Sequence, residues 1–146
     1  MSQPDKSIDI NWTLLFLCWL LVTVSATISL FFSSVLEYEP CVLCWYQRIC
    51  LFPLIFIFAA GLFPAFDKSV IKYALPLTIA GGLTALYHTL LYAGIIPENI
   101  QPCSQGVSCT EKYIELFGFI SIPMMSFFAF SILTAILIIL KRRTSK

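Results

Sequence analysis

A pair of cysteines separated by two residues, Cys41 and Cys44, is the part of this sequence best suited to chemistry. Two aromatic residues, Trp45 and Tyr46, follow at once, and a lone cation, Arg48, stands four residues after Cys44. If a helix begins near Cys44, Arg48 lies over the same face of that helix. A nearby cation stabilises a thiolate, and paired aromatic rings settle at the boundary between lipid and water. The spacing therefore indicates a reactive dithiol at a membrane surface, with its thiolate at Cys44.

A second cysteine pair, Cys103 and Cys109, lies in a segment that contains Pro97, Pro102 and Gly106, which break regular structure. A bridge here could simply order the loop, and a bridge within the first pair could also be structural. A disulfide across so short a loop as the first, however, contributes only about 2 kcal/mol. Two dithiols in adjacent loops also permit a thiolate of one to attack the disulfide of the other. We therefore expect all four cysteines to be catalytic and to form a redox relay.

A zinc site built from four cysteines is the other use of two such pairs. The apolar residues Val42 and Leu43 lie between the first two cysteines, next to a membrane span, and suit a closed tetrahedral site poorly. Zinc would also make the thiols unavailable for exchange. We therefore expect no metal, and no stretch of the sequence resembles a phosphate-binding loop or a nucleic-acid-binding patch.

The chain that carries these cysteines has the composition of an integral membrane protein. Of its 146 residues, 59% are hydrophobic and 12% are charged, whereas about 25% are charged in a typical soluble domain. Four stretches are long and apolar enough to cross a bilayer, at about residues 12–32, 49–66, 73–96 and 117–140. The cysteine pairs lie in the loops between them, at 33–48 and 97–116. The sequence thus predicts a single all-α membrane domain, a four-helix transmembrane bundle.

Prolines and glycines refine the predicted spans. Pro53 and Pro76 fall early in the second and third spans, where a missing amide donor costs little. Gly81 and Gly82 lie in the middle of the third span and allow a neighbouring helix to approach closely. The segment 113–122 is amphipathic, and we expect it to lie along the membrane surface or to begin the fourth helix early.

Basic residues predict the orientation of the bundle. Arg48 and Lys112 are the basic residues of the two cysteine loops, whereas the tails and the middle turn carry seven, namely Lys6, Lys68, Lys72, Lys141, Arg142, Arg143 and Lys146. Because Lys and Arg are enriched on the cytoplasmic side, both termini are expected there. Both cysteine loops then face the extracytoplasmic side of the membrane, where thiols are readily oxidised.

Other polar residues and cysteines have competing interpretations. His88, the only histidine, lies in the third span, where it is either a ligand contact or a hydrogen-bonded core residue. Arg48 either holds a thiolate or an oxygen-bearing anionic ligand, or extends its charge from the interface toward water. Cys18 and Cys50 belong to no pair and are expected to act as small apolar side chains.

With these features, the chain resembles the bacterial disulfide-bond-forming membrane oxidoreductases, the DsbB and BdbC proteins. The resemblance covers essentially the whole chain. It depends on the four spans, on the sequence Cys-Val-Leu-Cys-Trp-Tyr-Gln-Arg at 41–48 and on the second cysteine pair between the last two spans. The close spacing of that second pair is more similar to the short-loop BdbC-type members.

The resemblance implies a relay that reoxidises a soluble, thioredoxin-like thiol oxidase of the DsbA type. The reduced partner attacks the Cys103–Cys109 disulfide at Cys103, and Cys109 then attacks Cys41. Cys44 is released as a thiolate beside Arg48. It passes two electrons to a membrane quinone, ubiquinone or menaquinone, which in this family lies near the start of the second span.

The resemblance also implies a location and further contacts. It places the protein in the bacterial inner membrane as a multi-pass protein of the lipid bilayer, with Arg48 and His88 as candidate quinone-binding residues. The alternative function is a non-enzymatic four-span scaffold whose disulfides only hold its loops. A reductase of the vitamin K epoxide reductase type is disfavoured, because its Cys-x-x-Cys lies near a later span.

Overall fold

The computed structural model describes residues 6–37, 39–97, 115–116 and 120–145. These contain four α-helices, α1 (Lys6–Ser34), α2 (Val42–Leu62), α3 (Ser69–Tyr92) and α4 (Ile122–Thr144). Two short strands, β1 (Glu115–Leu116) and β2 (Ile120–Ser121), precede α4. All four helices are long and apolar enough to cross a membrane. The predicted all-α, four-helix membrane bundle is therefore confirmed.

The helices pack around one apolar core. Each helix contacts its neighbour in sequence, and α1 also contacts α4, which closes the bundle. Residues three or four positions apart on α1 share a buried face, as expected from the helical repeat; they are Leu15, Cys18, Val22 and Ala26. Cys18 is fully buried in this core, and Cys50 packs against it. Both positions agree with the prediction that these cysteines act as small apolar side chains.

Two hydrogen bonds show which helix ends lie together. Trp12 Nε1 near the start of α1 donates to the carbonyl oxygen of Leu62 at the end of α2, at 3.4 Å. Arg143 Nε in the last turn of α4 donates to Asn11 Oδ1 of α1, at 3.1 Å. The start of α1 and the ends of α2 and α4 therefore lie at one end of the bundle. The start of α2, which carries the cysteine pair, lies at the other end.

Helices α2 and α3 are shifted toward the N-terminus relative to the apolar runs from which they were predicted, and each ends four residues before its predicted end, at Leu62 and Tyr92. Helix α2 begins at Val42, before the predicted start at 49, and α3 begins at Ser69, before the predicted start at 73. Pro53 and Pro76 consequently lie inside helices, so the expectation that both fall early in their spans, where a missing amide donor costs little, is wrong. The prediction ended the spans at charged residues, but these charges belong to the helices. Neighbouring helices and local adjustments accommodate a proline inside a span.

The segment before α4 also differs from its prediction. Instead of an interfacial helix or an early start of the last span, Glu115 pairs with Ser121 and Leu116 pairs with Ile120 in an antiparallel arrangement. Helix α4 begins directly afterwards and has Pro123 at its start. Proline is favoured there because its missing N–H has no partner within the helix and its fixed φ suits the first turn.

The contact between α3 and α4 at Gly81 provides a test of the packing. A Cβ atom at Gly81 would lie 2.4 Å from Cε1 of Phe130, whereas at Gly82 the nearest atom is Phe130 Cβ at 3.6 Å. The predicted close approach is thus confirmed at Gly81. We expect Gly81→Ala to lower the free energy of unfolding in detergent by about 1–3 kcal/mol, because the phenyl ring must move.

The matched control is Gly82→Ala, which meets only an ordinary contact. It is expected to leave the free energy of unfolding unchanged or to raise it, since alanine has the better helix propensity. Equal stability of the two variants in a denaturant titration would contradict the packing at Gly81.

Candidate redox site

Cys41 and Cys44 lie at the start of α2, where the helix brings their sulfurs together. Cys41 is the N-cap residue, and its Sγ accepts a hydrogen bond from the backbone N–H of Cys44 at 3.4 Å. The first amides of a helix have no acceptor within the helix, so a capping side chain satisfies one of them. The two Sγ atoms are 3.1 Å apart and both thiols are free. The pair is therefore placed to close a disulfide.

The two cysteine residues differ in their exposure to solvent. Cys41 is buried in a small apolar cluster with Leu43 and Leu91, against which Cys44 packs. Cys44 itself is only half-buried. As a residue, Cys44 therefore keeps some exposed surface, whereas Cys41 is covered by the cluster.

His88 of α3 completes the group around Cys41. Its Nε2 lies 3.9 Å from Cys41 Sγ, and its Nδ1 lies 3.2 Å from Gln47 Nε2 of α2. All three residues are buried. If the Gln47 amide donates to Nδ1, the neutral ring carries its hydrogen on Nε2, which faces the sulfur. Gln47 thus fixes the imidazole, and the histidine is brought to the dithiol.

These contacts favour a thiolate at Cys41. The hydrogen-bonding contact with the Cys44 side chain has the largest effect, and the contact with His88 and the Cys44 N–H act in the same direction. Against the opposing effect of burial, they lower the pKa of Cys41 to about 4. The sequence placed the thiolate at Cys44 beside Arg48. In the dithiol form, the contacts of the described residues favour Cys41 instead.

The lowered pKa predicts how the reactivity of Cys41 depends on pH. In reduced protein, alkylation of Cys41 by iodoacetamide should stay nearly constant from about pH 6 to about pH 9 and fall as the pH approaches about 4, where the thiolate is protonated. Peptide mapping by mass spectrometry measures this rate separately from the other cysteines. In His88→Phe, the fall should occur at higher pH. A rate that instead rises steadily to about pH 9, as for an ordinary thiol, would contradict the assignment.

Arg48 is directed toward α1. Its Nε donates to Ser29 Oγ at 2.9 Å, and its Nη2 donates to the Ser29 carbonyl oxygen at 2.7 Å and to Ser33 Oγ at 3.1 Å. Its Cζ lies 5.5 Å from the centroid of the Trp45 ring, and only 8% of the residue is exposed. Arg48 therefore ties the start of α2 to the end of α1 instead of extending into water. Among the described residues, Nη1 has no hydrogen-bond partner.

The surface beside Cys44 suits a flat, apolar ligand that carries hydrogen-bond acceptors. Trp45 and Ile49 lie one helical turn apart and are 52% and 60% exposed, so they form an apolar strip at the start of α2. Cys44 and Arg48 lie next to this strip. This part of the surface therefore combines apolar side chains with a nearby guanidinium, which is a charged hydrogen-bond donor.

Three parts of the site were not predicted from the sequence, namely Gln47, Ser29 and Ser33. Ser29 and Ser33 are polar residues one turn apart near the end of an apolar stretch, a spacing that points to a shared partner on another helix. Gln47 stands beside Arg48 in the sequence, but its contact with His88 depends on how α2 and α3 pack. The second predicted pair, Cys103 and Cys109, lies outside the described residues and stays a prediction.

Comparison with known proteins places these features in context. Residues 10–140 match the protein family described as "Disulfide bond formation protein DsbB". The chain is 46% identical over 144 residues to a probable disulfide formation protein of Metapseudomonas resinovorans. The aligned residues cover 98% of this chain and 99% of that relative. The chain is 36% identical over 132 residues to disulfide bond formation protein C of Bacillus subtilis, covering 90% and 95% respectively. No solved structure matches the chain.

Proposed function

The chain belongs to the DsbB family of disulfide bond formation proteins, and from this premise we propose that it reoxidises a soluble, DsbA-like thiol oxidase with a membrane quinone as electron acceptor. The observation that carries the proposal is the dithiol at the start of α2. There Cys41 lies against His88, and Cys44 lies against Cys41 on the same helix as Arg48 and the exposed residues Trp45 and Ile49. This arrangement supports electron transfer from buried sulfur to a ligand dissolved in the lipid.

The proposed relay passes two electrons from the soluble partner to the quinone in the membrane and leaves a disulfide in the partner. The reduced partner is oxidised by the Cys103–Cys109 disulfide, which becomes a dithiol. That dithiol reduces the Cys41–Cys44 disulfide and regains its own bridge. The Cys41–Cys44 dithiol then gives two electrons and two protons to the quinone, which becomes a hydroquinone. One disulfide in the partner is therefore formed for each quinone reduced.

The contacts of Cys41 suit it to be the leaving group when the outer disulfide is restored. After Cys109 has attacked Cys41, Cys103 must attack Cys109 to restore the outer bridge, and Cys41 is then the leaving group. A thiol with a lower pKa leaves faster. The N-cap position stabilises the departing thiolate, and so does an N–H at Nε2 of His88 when the Gln47 amide donates to Nδ1. We therefore assign His88 and Gln47 the role of accepting and stabilising charge at Cys41.

Arg48 and His88 are the residues that we propose to contact the quinone. Arg48 supplies a charge-assisted donor for a carbonyl oxygen and, because Ser29 and Ser33 bind its other nitrogens, a fixed position. The imidazole of His88 lies beside the same sulfur pair. The quinone would serve as the terminal two-electron acceptor, which the side chains of this site do not provide.

We further propose that the cysteine pairs face the extracytoplasmic side of the bacterial inner membrane and that both termini are cytoplasmic. Lys68, Lys72 and the basic run 141–143 lie at the starts and ends of helices at the end of the bundle opposite to Cys41. This separation of charge agrees with the enrichment of Lys and Arg on the cytoplasmic side. A soluble partner then meets the dithiols in an oxidising compartment.

The experiment that tests the function uses the full chain in detergent, a reduced thioredoxin-fold oxidase, and a ubiquinone or menaquinone analogue. Absorbance follows quinone reduction, and thiol titration follows the partner. We expect equal amounts of quinone reduced and partner disulfide formed. Partner oxidation without quinone consumption, or no reaction with either class of quinone, would overturn the proposal and favour a scaffold with structural bridges.

A further inference from the structure

Cys41, Cys44 and His88 form a compact group of soft metal ligands when the cysteines are reduced. The two Sγ atoms and a ring nitrogen lie within 4.8 Å of one another. Cys41 Sγ is 3.1 Å from the second sulfur and 3.9 Å from Nε2 of the histidine. A tetrahedral zinc ion needs about 3.8 Å between two sulfurs and about 3.5 Å between sulfur and nitrogen. Small side-chain rotations therefore produce the geometry of a zinc site.

We propose that the reduced Cys41–Cys44 pair and His88 bind one Zn²⁺ ion. The site has three protein ligands, and its fourth position is filled by water, because Cys44 is only half-buried. It differs from the four-cysteine zinc site that the sequence argued against, since it includes a histidine and needs neither Cys103 nor Cys109.

Gln47 makes His88 suitable as a ligand. The Gln47 amide faces Nδ1 of the ring at 3.2 Å, while Nε2 faces Cys41. A side-chain amide carries an acceptor and a donor, so rotating it by half a turn presents the oxygen to an Nδ1–H. The lone pair of Nε2 is then available to the metal. Metal-bound histidines commonly donate their other ring N–H to such an outer partner.

The charges at the site favour a divalent cation only in the reduced state. When Zn²⁺ binds, any protons on the two thiols are released and two zinc–sulfur bonds form, with no transfer of electrons. The ion neutralises two thiolates in a largely buried place, where uncompensated charge is costly. Glu37 and Glu39 are exposed in the segment just before Cys41 and add negative charge on the approach. A disulfide has no thiolate to offer, so oxidation abolishes the site.

Zinc binding itself does not depend on the proposed function, but one consequence of it rests on that function. With both sulfurs bound to zinc, the dithiol cannot pass its electrons to a quinone or return them to the outer pair. Extracytoplasmic Zn²⁺ should therefore inhibit turnover by holding the chain in its reduced form.

The test is a titration of the reduced full chain in detergent with Co²⁺, whose thiolate charge-transfer and visible bands report tetrahedral sulfur ligation. We expect about one Co²⁺ per chain, displaced by Zn²⁺. His88→Gln should weaken binding at least about tenfold, since even loss of an outer partner costs that much. The double variant Cys103→Ser/Cys109→Ser should bind as tightly as the unmodified chain.

Two measurements on the unmodified chain guard against a variant that fails to fold. Oxidation of the Cys41–Cys44 pair should abolish the cobalt spectrum. Zn²⁺ should slow the alkylation of Cys41 and Cys44 but leave that of Cys50 unchanged. The proposal is overturned if reduced protein gives no cobalt–thiolate band, if His88→Gln binds equally well, or if removing Cys103 and Cys109 abolishes binding. A chain that binds cobalt but reduces no quinone would support this site and refute the relay.

Discussion

Replacing either cysteine of the first pair, by Cys41→Ser or Cys44→Ser, should lower quinone-coupled oxidation of the partner at least about a thousandfold, the scale seen when an enzyme loses its nucleophile. A hydroxyl cannot form the disulfide on which each electron-transfer step depends. The initial rate of quinone reduction with a reduced thioredoxin-fold partner measures the effect. Cys50→Ser, on the same helix and also half-buried, is the matched control and should keep more than about half of the activity.

The two cysteine variants should differ in the species that they accumulate. In Cys44→Ser, Cys41 remains able to form a bridge with Cys109, and a disulfide between the two loops should be trapped and seen by mass spectrometry. In Cys41→Ser, this species should be absent. Full turnover in Cys44→Ser, or a trapped bridge to position 109 in Cys41→Ser, would contradict the proposed order of exchange.

Removing the buried cation, by Arg48→Met, should raise the apparent KM for quinone about tenfold or more. A hydrogen bond from a charged donor contributes about 1.5–3 kcal/mol, and the methionine side chain keeps the volume without the charge. Initial rates at varied quinone concentration measure this effect. The rate of exchange with the partner in a single turnover should change by less than about twofold, because that step uses the outer cysteines.

Ser29→Ala separates the charge of Arg48 from its position. This variant removes the hydroxyl that accepts from Nε at 2.9 Å but keeps the Ser29 carbonyl that accepts from Nη2 at 2.7 Å. We expect a smaller rise in KM than for Arg48→Met, because the guanidinium stays in place on fewer contacts. An unchanged KM for quinone in Arg48→Met would remove Arg48 from the quinone site.

The sequence predicted the four spans and the first cysteine pair because these are local properties. Hydropathy depends on composition over about 20 residues, and a Cys-x-x-Cys is readable wherever it falls. The helix starts were less predictable. Its charge makes Arg48 a natural end for a loop, but Ser29 and Ser33 accept hydrogen bonds from its Nε and Nη2, so α2 can include the charge and begin at Val42.

The contacts of His88 could not be predicted from the sequence. Its distance of 3.9 Å from Cys41 Sγ depends on how α3 is rotated and shifted against α2. That relation is set by packing along the whole interface, not by the residues near the histidine. The electrostatic consequence, a thiolate favoured at Cys41 instead of Cys44, follows first from the neighbouring Cys44 side chain and then from this contact and the N-cap hydrogen bond.

The most direct measurement of whether these cysteines carry electrons is thiol trapping in membranes with and without quinone. Acid quenching followed by alkylation with a mass tag reports the redox state of Cys41, Cys44, Cys103 and Cys109. In quinone-depleted membranes supplied with reduced partner, all four should accumulate as thiols, and added quinone should return them to disulfides. If the four cysteines stay oxidised whether or not quinone is present, the bridges are structural and the chain is no relay.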